Sequence, residues 1–93
     1  MTLKIELIPT LSHCIETVAK AEYERSMRQL LAGVNDSQQL SERVEVLARF
    51  LRTADFKKLR AESEKYLLKG NVVKFLVYQE DGAVKYRMEA PDG

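Results

Sequence analysis

The stretch Val72–Met88, VVKFLVYQEDGAVKYRM, decides the fold of this chain. Apolar and polar residues alternate on both sides of Asp81-Gly82, a dipeptide that favours a two-residue turn of type I′ because both positions need positive φ angles. The stretch is therefore predicted to be a β-hairpin whose register the turn fixes. One face, apolar along most of its length, is expected to pack on helices. That face pairs Gln79 with Val84, Val77 with Tyr86 and Phe75 with Met88, and the opposite face pairs Glu80 with Ala83, Tyr78 with Lys85, Leu76 with Arg87 and Lys74 with Glu89.

The segments before the hairpin carry the patterns of one strand and three helices. Residues 3–7, LKIEL, alternate apolar and polar residues as a half-buried strand does, and Pro9 ends the strand because it lacks a backbone donor. The first helix is predicted from Leu11 to Ala32. Thr10 or Ser12 is expected to cap its N-terminus.

The second and third helices are predicted from their apolar spacing and their capping residues. A turn at 35–37 leads into a second helix with one apolar face, formed by Leu40, Val44, Leu47 and Leu51. Thr53 is predicted to cap the third helix, with Asp55 in its first turn, where the helix dipole favours an acid. The buried side of the third helix is expected to comprise Phe56, Leu59, Ser63, Tyr66 and Leu67.

These elements predict a single α+β domain over residues 1–93, in the order β-α-α-α-β-β. Three helices are expected to pack on one face of a small antiparallel sheet that contains the C-terminal β-hairpin. The pattern leaves the strand order open. The N-terminal strand pairs either within its own chain or with the sheet of a second copy.

Composition narrows the class of protein. The 93 residues are 45% hydrophobic and 31% charged, which is typical of a globular domain, and the net charge of +1 gives no overall attraction to nucleic acid or membrane. The longest uncharged run, Leu7–Ile15, is far shorter than the roughly 20 residues of a membrane span. One cysteine, Cys14, excludes an internal disulfide, so a cytoplasmic protein is expected.

No motif for catalysis, metal binding or cofactor binding was found in the sequence. His13 and Cys14 are neighbours, and neighbouring side chains on a helix point about 100° apart, so they do not form a nucleophile–base pair. One histidine and one cysteine are too few for a zinc site, and no glycine-rich phosphate loop is present. We therefore expect a protein that is not an enzyme and carries no metal and no cofactor.

The first helix has two apolar lines instead of one, which favours contact with a second chain. A domain this small covers one line easily, and exposed apolar surface is typical of an interface. The leading hypothesis is a non-enzymatic protein-interaction module that self-associates, as a homodimer, through this helix or a sheet edge. The alternative is that the other two helices straddle the first and bury both lines. The interface predicted on this helix comprises Tyr23, Met27, Leu30, Leu31 and Val34.

The basic third helix and the hairpin support a second hypothesis, nucleic-acid binding. Three helices followed by a hairpin with exposed cations resemble the element order of winged-helix proteins, although the hairpin tip, Glu80-Asp81, is acidic. The competing interpretation is an ordinary charged surface, with Lys58–Glu62 and Arg60–Glu64 spaced for ion pairs along the helix. The contact residues under the nucleic-acid hypothesis are Lys57, Lys58, Lys65, Lys69, Lys74, Tyr78, Lys85 and Arg87.

Overall fold

Three helices and a three-stranded antiparallel sheet make up the fold, as the sequence predicted. The computed structural model of the protein describes residues 3–33 and 37–90. Of the turn predicted at 35–37, residues 35 and 36 lie outside the described residues. The elements in chain order are β1 (Lys4–Leu7), α1 (Ile15–Leu31), α2 (Ser37–Thr53), α3 (Phe56–Leu67), β2 (Lys74–Glu80) and β3 (Ala83–Glu89).

The predicted hairpin register is confirmed at every pair of β2 and β3 named above. Asp81 and Gly82 have φ angles of 53° and 78°, as a type I′ turn requires. The strand order is β1-β2-β3, and β1 pairs antiparallel with β2, which places Leu7 opposite Phe75 and Lys4 opposite Tyr78. The N-terminal strand thus completes the sheet of its own chain.

The core lies between one face of the sheet and the helices. Ile5 and Leu7 from β1 share this face with Phe75 and Val77 from β2, and all four are fully buried. Each such side chain contributes about 1.5–3 kcal/mol relative to an exposed position. Helix residues close the core from the other side, namely Ile15, Ala19, Val46, Leu47, Phe50 and Leu59.

Helix α1 begins at Ile15, four residues later than predicted. The reason is a tight turn before it: the backbone N–H of His13 donates to Thr10 Oγ1 at 3.0 Å, and the backbone N–H of Thr10 donates to the His13 carbonyl at 2.8 Å. Thr10 therefore closes a turn and does not cap the helix. Cys14, with extended backbone, occupies the N-cap position without a side-chain cap bond, and Leu11 is exposed.

The junction between α2 and α3 also differs from the prediction. Thr53 is the last residue of α2, and its hydroxyl donates back to the Arg49 carbonyl at 2.8 Å. Asp55 is the N-cap of α3, because its Oδ1 accepts a bond of 3.2 Å from the backbone N–H of Lys58. The buried face of α2 is also wider than the predicted stripe and includes Val46.

Candidate interaction surfaces

The predicted interface on α1 is largely covered by the protein itself. Tyr23 packs against the core, Met27 and Leu30 are half-buried, and Val34 lies outside the described residues. Helix α1 packs against both α2 and α3, so both of its apolar lines receive cover within the chain. Among the described members of the predicted set, Leu31, at 79% exposure, offers substantial apolar surface.

The line of α1 that points most deeply inward combines apolar and polar residues. Ile15, Ala19 and Ser26 are buried on this line, and Ser26 is 1% exposed. Glu22 and Ser26 stand where an apolar line should continue, so their sequence positions already indicated an unusual helix face. Their partner, Arg43, comes from α2.

Arg43 joins α1 to α2 through a polar cluster. Its Nε donates to Ser26 Oγ at 3.1 Å and its Nη2 donates to Glu22 Oε2 at 2.8 Å. Arg25 Nη2 donates to the same Glu22 oxygen at 2.9 Å. The side chains of Arg43 and Glu22 are only 25% and 23% exposed. The guanidinium fork satisfies a buried hydroxyl and a half-buried carboxylate together, which fixes the packing of the two helices.

An apolar groove at one end of the molecule was not predicted. This end groove, defined by residues 8–11 and 67–72, encloses about 270 Å³. Ile8, Leu11 and Val72 line it and are 51%, 59% and 69% exposed, and Leu68, next to a lining residue, is 73% exposed. A cluster of exposed apolar side chains is typical of a contact surface. The sequence pattern predicts Leu11 inside the first helix, whereas α1 begins at Ile15 and leaves Leu11 in the loop that forms one side of the groove.

The outer face of the sheet carries the hairpin residues of the nucleic-acid hypothesis. Lys74 Nζ lies 3.6 Å from a Glu6 carboxylate oxygen, and Lys85 Nζ lies 3.1 Å from one of Glu80. Each of these ion pairs reduces the positive charge that the face presents. Lys4, Tyr78 and Arg87 contribute, with Leu76 and Glu80, to a shallow depression of about 270 Å³.

The cations of α3 and of the turn that follows it lie on a different surface. Lys57, Lys58, Lys65 and Lys69 are exposed, and within residues 3–33 and 37–90 no carboxylate lies within 4.0 Å of their amines. The predicted Arg60–Glu64 pair is present at 3.0 Å, whereas no Lys58–Glu62 pair forms. Because the helices pack on the inner face, the sheet stands between α3 and the outer-face cations. The structure does not bring the two predicted sets together.

Cys14 lies beside a second shallow cavity of about 260 Å³, which Glu16, Phe56, Lys57 and Arg60 also line. Its Sγ is 3.4 Å from Thr17 Oγ1. Hydrogen bonds from the hydroxyl and the backbone N–H of Thr17 lower the pKa of the Cys14 thiol below its ordinary value, although partial burial opposes them. The thiol thus lies at the N-terminus of α1 and is only partly covered.

The described residues, 3–33 and 37–90, include neither a cluster of metal ligands nor a membrane-spanning helix. In that part of the chain, no three His, Cys, Asp or Glu side chains come together as a possible set of metal ligands. None of the helices there has the length and apolar character needed to cross a membrane.

Comparisons with known proteins give a family and one relative. An uncharacterized protein of Archaeoglobus fulgidus (strain ATCC 49558 / DSM 4304 / JCM 9628 / NBRC 100126 / VC-16) is 44% identical over 50 residues, which are 52% of this chain and 59% of the relative. The matched segment thus spans less than two thirds of the relative's length. No solved structure matches the chain. A family model matches residues 1–87. Because this match covers more than half of the chain, the protein belongs to that uncharacterised family.

Proposed function

We propose that this protein is a non-enzymatic protein-interaction module that works in the cytoplasm as a homodimer. The observation that carries the proposal is the exposed apolar surface. Large apolar side chains that the chain leaves more than a third exposed are Ile8, Leu11, Leu31, Leu68, Val72 and Tyr86. Exposed apolar surface that is contiguous favours contact with another chain, because burying it removes it from water.

These side chains define three surfaces on which a second copy can dock. Ile8, Leu11 and Val72 surround the end groove, Leu31 lies at the end of α1, and Tyr86 lies on the edge strand β3. The polar cluster of Arg43 is excluded as an interface centre because α1 and α2 already satisfy its hydrogen bonds. Self-association through any of the three surfaces fits the proposal.

Molar mass in solution tests the proposal. We expect sedimentation equilibrium to give the mass of a dimer, with dissociation on dilution. A mass of one chain at all concentrations, including the highest that stays clear, would contradict homodimer formation.

Aspartate variants test two of the three surfaces, and charge swaps described below test the third, strand β3. Leu31→Asp tests α1, and Val72→Asp tests the end groove. Both positions are exposed, so neither change buries a charge, and circular dichroism should show an unchanged fold. The half-buried Met27 and Leu30 are less suitable, since an aspartate there would also weaken the packing of α1. A variant that is monomeric and folded identifies its surface as the interface.

A further inference from the structure

We infer that the edge strand β3 pairs antiparallel with β3 of a second copy, with Met88 opposite Met88 of the second copy. This inference rests on the proposed self-association and names the surface and the register. The join would extend the three-stranded sheet into a six-stranded sheet across a twofold axis, so each copy would use the same surface.

The backbone of β3 is open on one side. Strand β3 is the last in the order β1-β2-β3 and bonds only to β2. Glu80 and Ala83 flank the two-residue turn as a hydrogen-bonded pair, so alternate residues of β3 bond to β2 and those between them point outward. The residues whose backbone N–H and C=O groups point away from β2 are Val84, Tyr86 and Met88. No backbone group elsewhere in the described chain bonds to them.

The core is only partly covered along the same edge. Val84 and Met88 are half-buried against it, and Tyr86 is 40% exposed. One side of the Tyr86 ring is already covered, since its centroid lies 6.2 Å from that of Phe50 and 6.3 Å from that of Phe75. A strand added beside β3 would cover the open side of this row. Pairing in the proposed register brings Ala90 of the second copy next to Tyr86 and covers both Met88 side chains.

The charges on the outer side of β3 select the partner and the register. Among the described residues, Arg87 has no carboxylate within 4.0 Å and Glu89 has no cation within that distance, whereas Lys85 is already paired with Glu80. In the proposed register, Arg87 of each copy faces Glu89 of the other. The two free charges of each chain therefore find partners, in non-hydrogen-bonded pairs where the side chains lie closest.

Neighbouring registers are less favourable. Centring the pair on Tyr86 would place Lys85 opposite Arg87 of the second copy twice, which brings like charges together. Centring it on Arg87 would place the two Arg87 side chains opposite each other. That register would also bring Lys85 opposite Glu89 of the second copy, but Lys85 is already paired with Glu80 and Arg87 would remain without an acid. A shift by one residue would turn apolar side chains away from the core side. The charge pattern also explains how an exposed edge avoids pairing with unrelated strands, because Lys85 and Arg87 discourage contact with any strand that lacks acidic residues.

A charge-swap series tests the inference by sedimentation equilibrium at low salt. Glu89→Arg and Arg87→Glu each replace two attractive pairs with two repulsive ones, so each should weaken dimerisation by about tenfold or more. The double variant Arg87→Glu with Glu89→Arg restores opposite charges and should regain most of the affinity. Lys65→Glu on α3 makes the same charge change as Arg87→Glu at an exposed site away from the edge, and it should leave the dimer unchanged.

The outcomes separate this inference from the function on which it rests. A wild-type dimer that both single variants weaken, and that the double variant rescues, supports the edge pairing. If the wild type is a dimer and none of the three changes alters its dissociation, the edge pairing is overturned and self-association stands. A wild-type monomer overturns both. Urea denaturation of each variant confirms that a change in mass does not come from unfolding.

Discussion

Arg43 makes the polar contacts that join α1 to α2. We expect Arg43→Lys to lower the free energy of unfolding by about 1–3 kcal/mol, because an ammonium does not reach Ser26 Oγ and Glu22 together and leaves a buried hydroxyl without its donor. Urea denaturation monitored by circular dichroism measures the change.

Arg25 provides the matched control for Arg43. It donates to the same Glu22 oxygen but is 59% exposed, so Arg25→Lys should change stability by less than about 0.5 kcal/mol. Equal effects of the two substitutions would show that the cluster acts as an ordinary surface ion pair.

Cys14 is expected to react as a thiolate at lower pH than an unperturbed cysteine, because bonds from Thr17 hold its pKa below the ordinary value. It is the only cysteine of the chain, so alkylation by iodoacetamide, followed by mass spectrometry, reports on this site alone. Thr17→Val should move the midpoint of the rate–pH profile upward, and Thr17→Ser should preserve it. Identical midpoints for the wild type and Thr17→Val would contradict the role of the hydroxyl.

The same pKa shift sets the sign of a pH effect on stability. The folded chain loses the Cys14 proton at lower pH than the unfolded chain, so the unfolded chain binds more protons between the two pKa values. The contribution of Cys14 is therefore fully present above the unfolded pKa and is lost as the pH falls through the folded one. Cys14→Ser should remove this part of the pH dependence.

At the scale of elements, two residues near the start of α3 could cap this helix, and only Asp55 does so. Asp55→Ala should lower the free energy of unfolding by about 1 kcal/mol, because it removes the acceptor for the backbone N–H of Lys58. Thr53→Ala should cost less than about 0.5 kcal/mol, since its exposed hydroxyl bonds a carbonyl within α2 and caps nothing. Urea midpoints of the two variants measure the difference, and a larger loss for Thr53→Ala would contradict this assignment.

The hairpin could be predicted in full from the sequence, whereas the helix ends could not. Two independent constraints, the Asp81-Gly82 turn and the alternation around it, agree on one register. A hydroxyl near a helix end can cap the helix or bond elsewhere, and the path of the backbone decides which. Thr10 and Thr53 were both expected to be caps, and both bond elsewhere. Local pattern therefore predicts which elements form more reliably than where they begin.

The candidate surfaces were predictable only in part, because they depend on segments that are distant in sequence. Glu22 and Ser26 were recognisable as polar residues on an apolar line, but their partner Arg43 follows Ser26 by 17 positions and lies on another helix. The end groove likewise forms where residues 8–11 meet residues 67–72. Tertiary packing decides which exposed apolar residues share a surface. Hydrophobic periodicity gives no information about that packing.

At the scale of the whole molecule, the positive charges do not converge on one binding surface. The lysines of α3 lie on the helical side, the sheet separates them from Lys74, Lys85 and Arg87, and two of those three are already paired with acids. A nucleic-acid site needs several unpaired cations along one backbone path. This distribution favours contact with protein over contact with nucleic acid.

We therefore expect fluorescence anisotropy to show no saturable binding to a mixed-sequence duplex or single strand below about 10⁻⁴ M at physiological salt, the weak end of non-specific affinity. At low salt, any residual binding should fall only slowly as salt is added, because few phosphates can be neutralised at once. Replacing Lys57, Lys58, Lys65 and Lys69 with glutamine removes the unpaired lysines of α3 and of the turn after it, and serves as the control. Tight binding with a steep salt dependence, abolished by these four substitutions, would instead favour nucleic-acid binding through α3 and would remove the main reason for preferring a protein partner.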